Sequence, residues 1–159
     1  MRFSADPKII FRDPVHFLAF GFGSGLSSKA PGTMGTLVAL PFVYALMQLP
    51  LWAYLCCLLM LSAVGVYLCG ESARRLNAHD HPGIVWDEFV GMAITMLAVP
   101  FSWVNILLGF ILFRGFDIFK PWPIREADHR LAGGIGIILD DVIAGMFACI
   151  CLHGILQFI

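Results

Sequence analysis

Apolar and charged positions in this chain are segregated into long blocks and do not alternate. Every Asp, Glu, Lys and Arg lies in Arg2–Lys29, Glu71–Glu88 or Arg114–Asp141, and the runs Ala30–Gly70, Phe89–Phe113 and Val142–Ile159 carry none. Apolar runs of this length predict membrane-embedded helices. Ala30–Gly70, at 41 residues, exceeds one span of roughly 20 residues. Pro50 is the natural reversal, giving a hairpin of Thr36–Gln48 and Leu51 to about Leu76. Phe89–Phe113 reads either as one span or as a second hairpin broken at Val99-Pro100-Phe101-Ser102. The hairpin is preferred, because it brings Asp87-Glu88 to the same face as Asp117 and Asp140-Asp141. Its weakness is length, since half-helices of about 15 residues reach only ~22 Å. Asp13-Pro14 predicts a helix start, followed by a short surface segment, Val15–Phe20. A final helix is expected from about Asp140 to Leu156. The expected fold class is all-α: a compact helical membrane protein of about six helices, two helical hairpins plus a C-terminal helix, in a single domain over residues 1–159.

Composition agrees with this reading. With 59% hydrophobic and 13% charged residues, the chain is too apolar for an ordinary soluble domain. A net charge of −1 and the lack of a basic, aromatic-interleaved stripe give no case for nucleic acid. No secretory signal peptide is visible. Cys56, Cys57, Cys69, Cys149 and Cys151 all lie in apolar runs and read as packing thiols. Arg and Lys occur in all three charged blocks and never at the hairpin tips, so the positive-inside bias places the charged face in the cytoplasm.

The two acidic pairs, Asp87-Glu88 and Asp140-Asp141, each open onto an apolar run, where carboxylates are costly unless a cation pairs with them. Asp87-Glu88 also suits the first turn of a helix. Asp140-Asp141 is flanked by apolar residues on both sides, and metal ligation is the better account. Gly91 and Gly145 follow the two pairs and clear space on a helix face. Arg114, Asp117 and Lys120, three residues apart, share another face. They suit either a salt-bridge ladder beside an interfacial Trp122, or one metal-directed carboxylate with two phosphate-directed cations. Gly21-Phe22-Gly23-Ser24-Gly25 and Ala30–Thr36 are Gly-rich but lack the Lys and spacing of a nucleotide loop. His79-Asp80-His81 reads as a solvated turn. Five carboxylates, two cations and two Gly-rich loops on one membrane face point to a Mg²⁺-dependent enzyme acting on a phosphorylated lipid.

The segments Gly21–Leu26 with Ala30–Thr36, His79–Gly91, Phe113–Ile124 and Gly133–Gly145, taken together, resemble the phosphatidylglycerophosphatase A family. The resemblance covers the chain from about residue 14 to its end. It implies an integral inner-membrane enzyme that hydrolyses phosphatidylglycerophosphate to phosphatidylglycerol and phosphate with Mg²⁺. On that reading, Asp87, Glu88, Asp140 and Asp141 supply most metal ligands, and Asp117 binds the metal directly or through a neighbour. Lys120 and Arg114 bind the phosphoryl oxygens, and Ser24, Thr33 and nearby backbone help hold the phosphate. The nucleophile is a metal-activated water in preference to a phospho-aspartyl route. The hairpins receive the acyl chains in the bilayer. Two alternatives remain. Another Mg²⁺-dependent headgroup enzyme, of the CDP-alcohol type, would need a spaced Asp-x-x-Asp-Gly run that is absent. A cation carrier would place its acids near mid-span, whereas these are expected at helix ends.

Overall fold

The computed structural model describes residues 6–78, 81–122, 124 and 133–158. Among them there are seven α-helices, a short 3-10 turn at Ser24–Leu26 and no strand. The helices are α1 (Pro7–Arg12), α2 (Pro14–Ala19), α3 (Pro31–Met47), α4 (Leu51–Arg75), α5 (Trp86–Thr95), α6 (Trp103–Phe119) and α7 (Gly133–Leu156). Helix α1 is additional to the expected set. Asp6 caps it by accepting from the Lys8 amide at 2.9 Å, and Pro7 fills its first position. Asp13 caps α2 by accepting from Val15 N, as the Asp-Pro pair predicts.

Both hairpins form. Pro50 stands at the cap of α4. The second reversal runs from Met96 to Ser102, with Ala98 in the left-handed region. There Asn105 Nδ2 donates to the Pro100 carbonyl at 2.9 Å, and the Ser102 hydroxyl caps α6. Glu88, at the start of α5, meets Arg114, near the end of α6, so the two helices run antiparallel.

Two helix starts differ from expectation. Helix α3 begins at Pro31, five residues early, because proline is already set for a first helical position. Helix α7 begins at Gly133, so Asp140 and Asp141 lie about 10–12 Å along it and not at its mouth. The stretch Gly133-Gly134-Ile135-Gly136 is helical, and its small residues let α7 close on α4. A Cβ on Gly134 would strike the Val66 carbonyl and the backbone of Gly70.

Helix α7 is the central element, packing on α4, α5 and α6, while α5 also touches α3 and α4. The arm formed by α1 and α2 lies against the polar end of α4 and the loop leading into α5. Helices α4 and α7 are long and apolar enough to cross a membrane, at about 37 and 36 Å. Much of α4 is exposed and apolar, including Trp52, Leu59 and Tyr67. At the hairpin tips, Tyr44, Phe101 and Trp103 form an exposed aromatic group with ring centroids 5.0 and 5.4 Å apart. Such rings suit a membrane–water interface.

Candidate active site

Three helices bring one carboxylate each to a common point. Glu88 comes from the first turn of α5, Asp117 from the last turn of α6, and Asp141 from the third turn of α7. One oxygen from each lies within 4.8 Å of the others. Glu88 and Asp141 are buried. The approach is set by backbone, since a Cβ on Gly91 would meet the Asp141 carbonyl and one on Gly145 would meet that of Gly91. Both glycines therefore clear space, but for a neighbouring helix.

Arg114 lies between two of the acids. It pairs with Glu88 Oε2, and its Nη1 is 2.8 Å from Asp117 Oδ2. Its Nε is buried without a hydrogen-bond partner. Lys120 ends α6 in a left-handed conformation. Its Nζ lies 2.8 Å from Asp140 Oδ2, which ties the end of α6 to α7. Asp87 accepts from the Glu88 amide at 3.1 Å. Asp87 and Asp140 thus stand outside the tight triangle, yet both are near enough to repel the charge of Asp141.

Asp141 is the most deeply buried carboxylate of the triangle, at 2% exposed. It faces the negative charges of Glu88, Asp87, Asp117 and Asp140, and its Oδ2 is buried without a hydrogen-bond partner. A buried, unpartnered carboxylate oxygen among other carboxylates calls for a cation. The donors are hard oxygens, as Mg²⁺ prefers. Bonds of about 2.0–2.1 Å place opposite ligands roughly 4.2 Å apart. A 4.8 Å limit therefore needs little closure, and the residues fit.

Thr36 completes the site and was not apparent in the sequence. Its fully buried hydroxyl lies 2.8 Å from Glu88 Oε2 and 3.0 Å from the Gly32 carbonyl. A Cβ on Gly32 would meet Glu88 Oε1 and the Arg114 guanidinium. The first turn of α3 therefore abuts the site. The amides of Gly32 and Thr33 have no intrahelical acceptor there. Ser24 and Thr33, the two hydroxyls expected at a phosphate, make no hydrogen bond to the acidic triangle among the described residues. Ser24 Oγ turns back to the Phe20 carbonyl at 3.4 Å. His79 and Asp80 lie outside the described residues, while His81 Nδ1 accepts from the Gly83 amide and holds a turn. All five cysteines are free thiols.

No solved structure matches the chain. The model of the phosphatidylglycerophosphatase A family matches residues 17–156. Phosphatidylglycerophosphatase A of Escherichia coli is 46% identical over 156 residues, covering 98% of this chain and 88% of that protein. Its namesake in Haemophilus influenzae is 45% identical, covering 93% and 92%. A Bacteroides thetaiotaomicron protein provisionally named a phosphatidylinositol-3-phosphatase is 36% identical, covering 83% and 87%. The match runs through every helix that carries the acidic triangle, and this chain belongs to the phosphatidylglycerophosphatase A family.

Proposed function

We propose that the chain is a Mg²⁺-dependent phosphatase of the bacterial cytoplasmic membrane that converts phosphatidylglycerophosphate and water to phosphatidylglycerol and phosphate. The observation that carries this reading is the convergence of Glu88, Asp117 and Asp141, flanked by Arg114 and Lys120, in an otherwise apolar bundle. Family membership supplies the lipid phosphomonoester.

Glu88, Asp117 and Asp141 would hold the ion, with Asp87 and Asp140 supporting it directly or through water. When bound, Mg²⁺ supplies charge neutralisation at phosphoryl oxygens and an acidified water. Arg114 and Lys120 orient the phosphoryl group and balance charge that develops on its oxygens. Their present carboxylate partners are then shared with the incoming phosphate. The amides of Gly32 and Thr33 would add neutral donors at the positive end of α3, and the hydroxyls of Ser24 and Thr33 would supplement them. Water would attack phosphorus as the bond to the ester oxygen breaks, and the proton the water loses would pass through Asp87 or Asp140 to the leaving oxygen. The acyl chains remain among the exposed apolar faces of α3, α4 and α6.

The charged face is assigned to the cytoplasm by the distribution of Arg and Lys. The helix-embedded position of Asp141 removes one argument against a cation carrier, that its acids all sit at helix ends. The cations beside the triangle still favour phosphate chemistry, since Arg114 and Lys120 would oppose passage of a cation.

Purified protein with a short-chain phosphatidylglycerophosphate tests the proposal. Asp87→Asn, Asp141→Asn and Lys120→Ala are each expected to lose at least about a hundredfold in rate while staying folded. Near-normal rates in any two of them would sink the assignment. Ion flux without phosphate release would favour the carrier.

A further inference from the structure

The N-terminal arm carries charge that the acidic triangle does not use. Ile10, fully buried, pins α1 to the bundle, and Ile9 and Phe11 on either side stay more than half exposed. Lys8 and Arg12, four residues apart, share the outward face of α1. Helix α2 is fastened to α4 by His16 Nδ1, which lies 2.8 Å from Ser72 Oγ with both residues buried, and by the Arg75–Asp13 ion pair.

Between α1, α2 and the end of α4 lies a surface cleft of about 480 Å³, lined by Ile9, Arg12, Asp13, Pro14, Val15 and Arg75. Half of that lining is apolar. Arg75 is held rigidly, its Nε 2.7 Å from Glu71 and its Nη1 on Asp13. Asp13 also accepts from the Val15 amide. Arg12 makes no ion pair with any described residue. With Arg75 balanced by Asp13 and Glu71, Arg12 carries the uncompensated positive charge of the lining. An anionic phospholipid headgroup keeps a net negative charge, whereas the ammonium of phosphatidylcholine cancels that of its phosphate, and guanidinium is well suited to the former. The cleft opens at the polar end of α4. The neighbouring turn of α4, at Gly70, packs on the start of α7, so the cleft shares its membrane face with the acidic triangle. With α4 and α7 spanning a bilayer as proposed, headgroups would lie at that level.

We propose that this cleft binds the headgroup of a phospholipid of net negative charge in the surrounding leaflet, with Arg12 as its charged contact and Ile9 against its glycerol and upper acyl carbons. The arm thereby couples the enzyme to anionic membrane, as interfacial helices with basic and apolar faces do. The proposal goes beyond the phosphatase reading, and no residue of the cleft belongs to the catalytic set.

The test is binding of monomeric dihexanoylphosphatidylserine to the purified full chain, with dihexanoylphosphatidylcholine and inorganic phosphate as comparisons. Arg12→Ala is expected to weaken phosphatidylserine binding about tenfold and to leave phosphatidylcholine unaffected. Ile9→Ser, which keeps the charge, should weaken it less. Hydrolysis of a monomeric short-chain substrate should be unchanged in both variants. Stimulation of vesicle hydrolysis by phosphatidylserine in phosphatidylcholine should be lost in Arg12→Ala. Equal phosphatidylserine affinity in wild type and Arg12→Ala would overturn the proposal. So would phosphatidylcholine binding as tight as phosphatidylserine, or inorganic phosphate displacing the lipid at equal concentration. If the wild-type protein hydrolyses no phosphatidylglycerophosphate, the phosphatase reading fails while the binding comparison still decides this one.

Discussion

Thr36 shows how little of a site a sequence displays at single residues. The charged residues were legible because charge in an apolar chain is conspicuous, and Glu88, Asp117, Asp141 and Arg114 do come together. Thr36 carries no charge, lies in an apolar run and differs in no visible way from Thr33. Its importance comes from depth along α3, which brings its hydroxyl within 2.8 Å of Glu88 Oε2. A hydrogen bond to a charged group contributes about 1.5–3 kcal/mol. Thr36→Val should therefore lower kcat by roughly tenfold or more, with Thr36→Ser restoring most of it. A Thr36→Val enzyme with unaltered kcat would show that Glu88 is oriented by Arg114 alone. Gly32 was legible only as part of a Gly-rich loop, yet its missing side chain leaves room for Glu88 and Arg114. Gly32→Ala should reduce turnover while thermal unfolding stays near that of the wild type, because the strain falls on side chains that can shift.

At the scale of elements, apolar blocks and prolines located the hairpins, and the need to gather charges chose the turn at Pro100. The starts of α3 and α7 were hidden because glycine ordinarily weakens a helix. In a membrane bundle the same residue permits close helix approach, and Gly134 and Gly145 do this along α7. Helix α1 escaped notice since six residues give too short a period to read. The glycines can be tested against an internal control. Gly145→Val should separate α5 from α7, lower the unfolding temperature by several degrees and abolish most activity, a cost of about 1–3 kcal/mol as for other overpacked contacts. Gly154→Val, on the same helix but facing open space, should behave as wild type. Equal effects of the two would point to helix propensity as the cause instead of packing.

The whole molecule has two unlike ends. Aromatic rings gather at the hairpin tips, and the charged groups, the arm and the acidic triangle gather at the other end. In a cysteine-free background, Ser102→Cys and Arg12→Cys should be labelled from opposite sides of sealed vesicles by a membrane-impermeant maleimide. Labelling of both from one side would mean that the hairpins dip into one leaflet without crossing. The segregated charge foretold this polarity. Which acids form the innermost triangle was beyond it, because that depends on how three helices rotate against one another. Helices α5 and α7 touch through main-chain atoms at Gly91, Asp141 and Gly145, whereas α6 meets α5 through the side chains of Phe113 and Met96. Bilayers that thicken or thin make helices tilt, and side-chain contacts yield to that more readily than a joint of backbone on backbone. An enzyme that manufactures membrane lipid alters the medium in which it stands. The glycine joint insulates the spacing of Glu88 and Asp141 from the mechanical consequences of its own product.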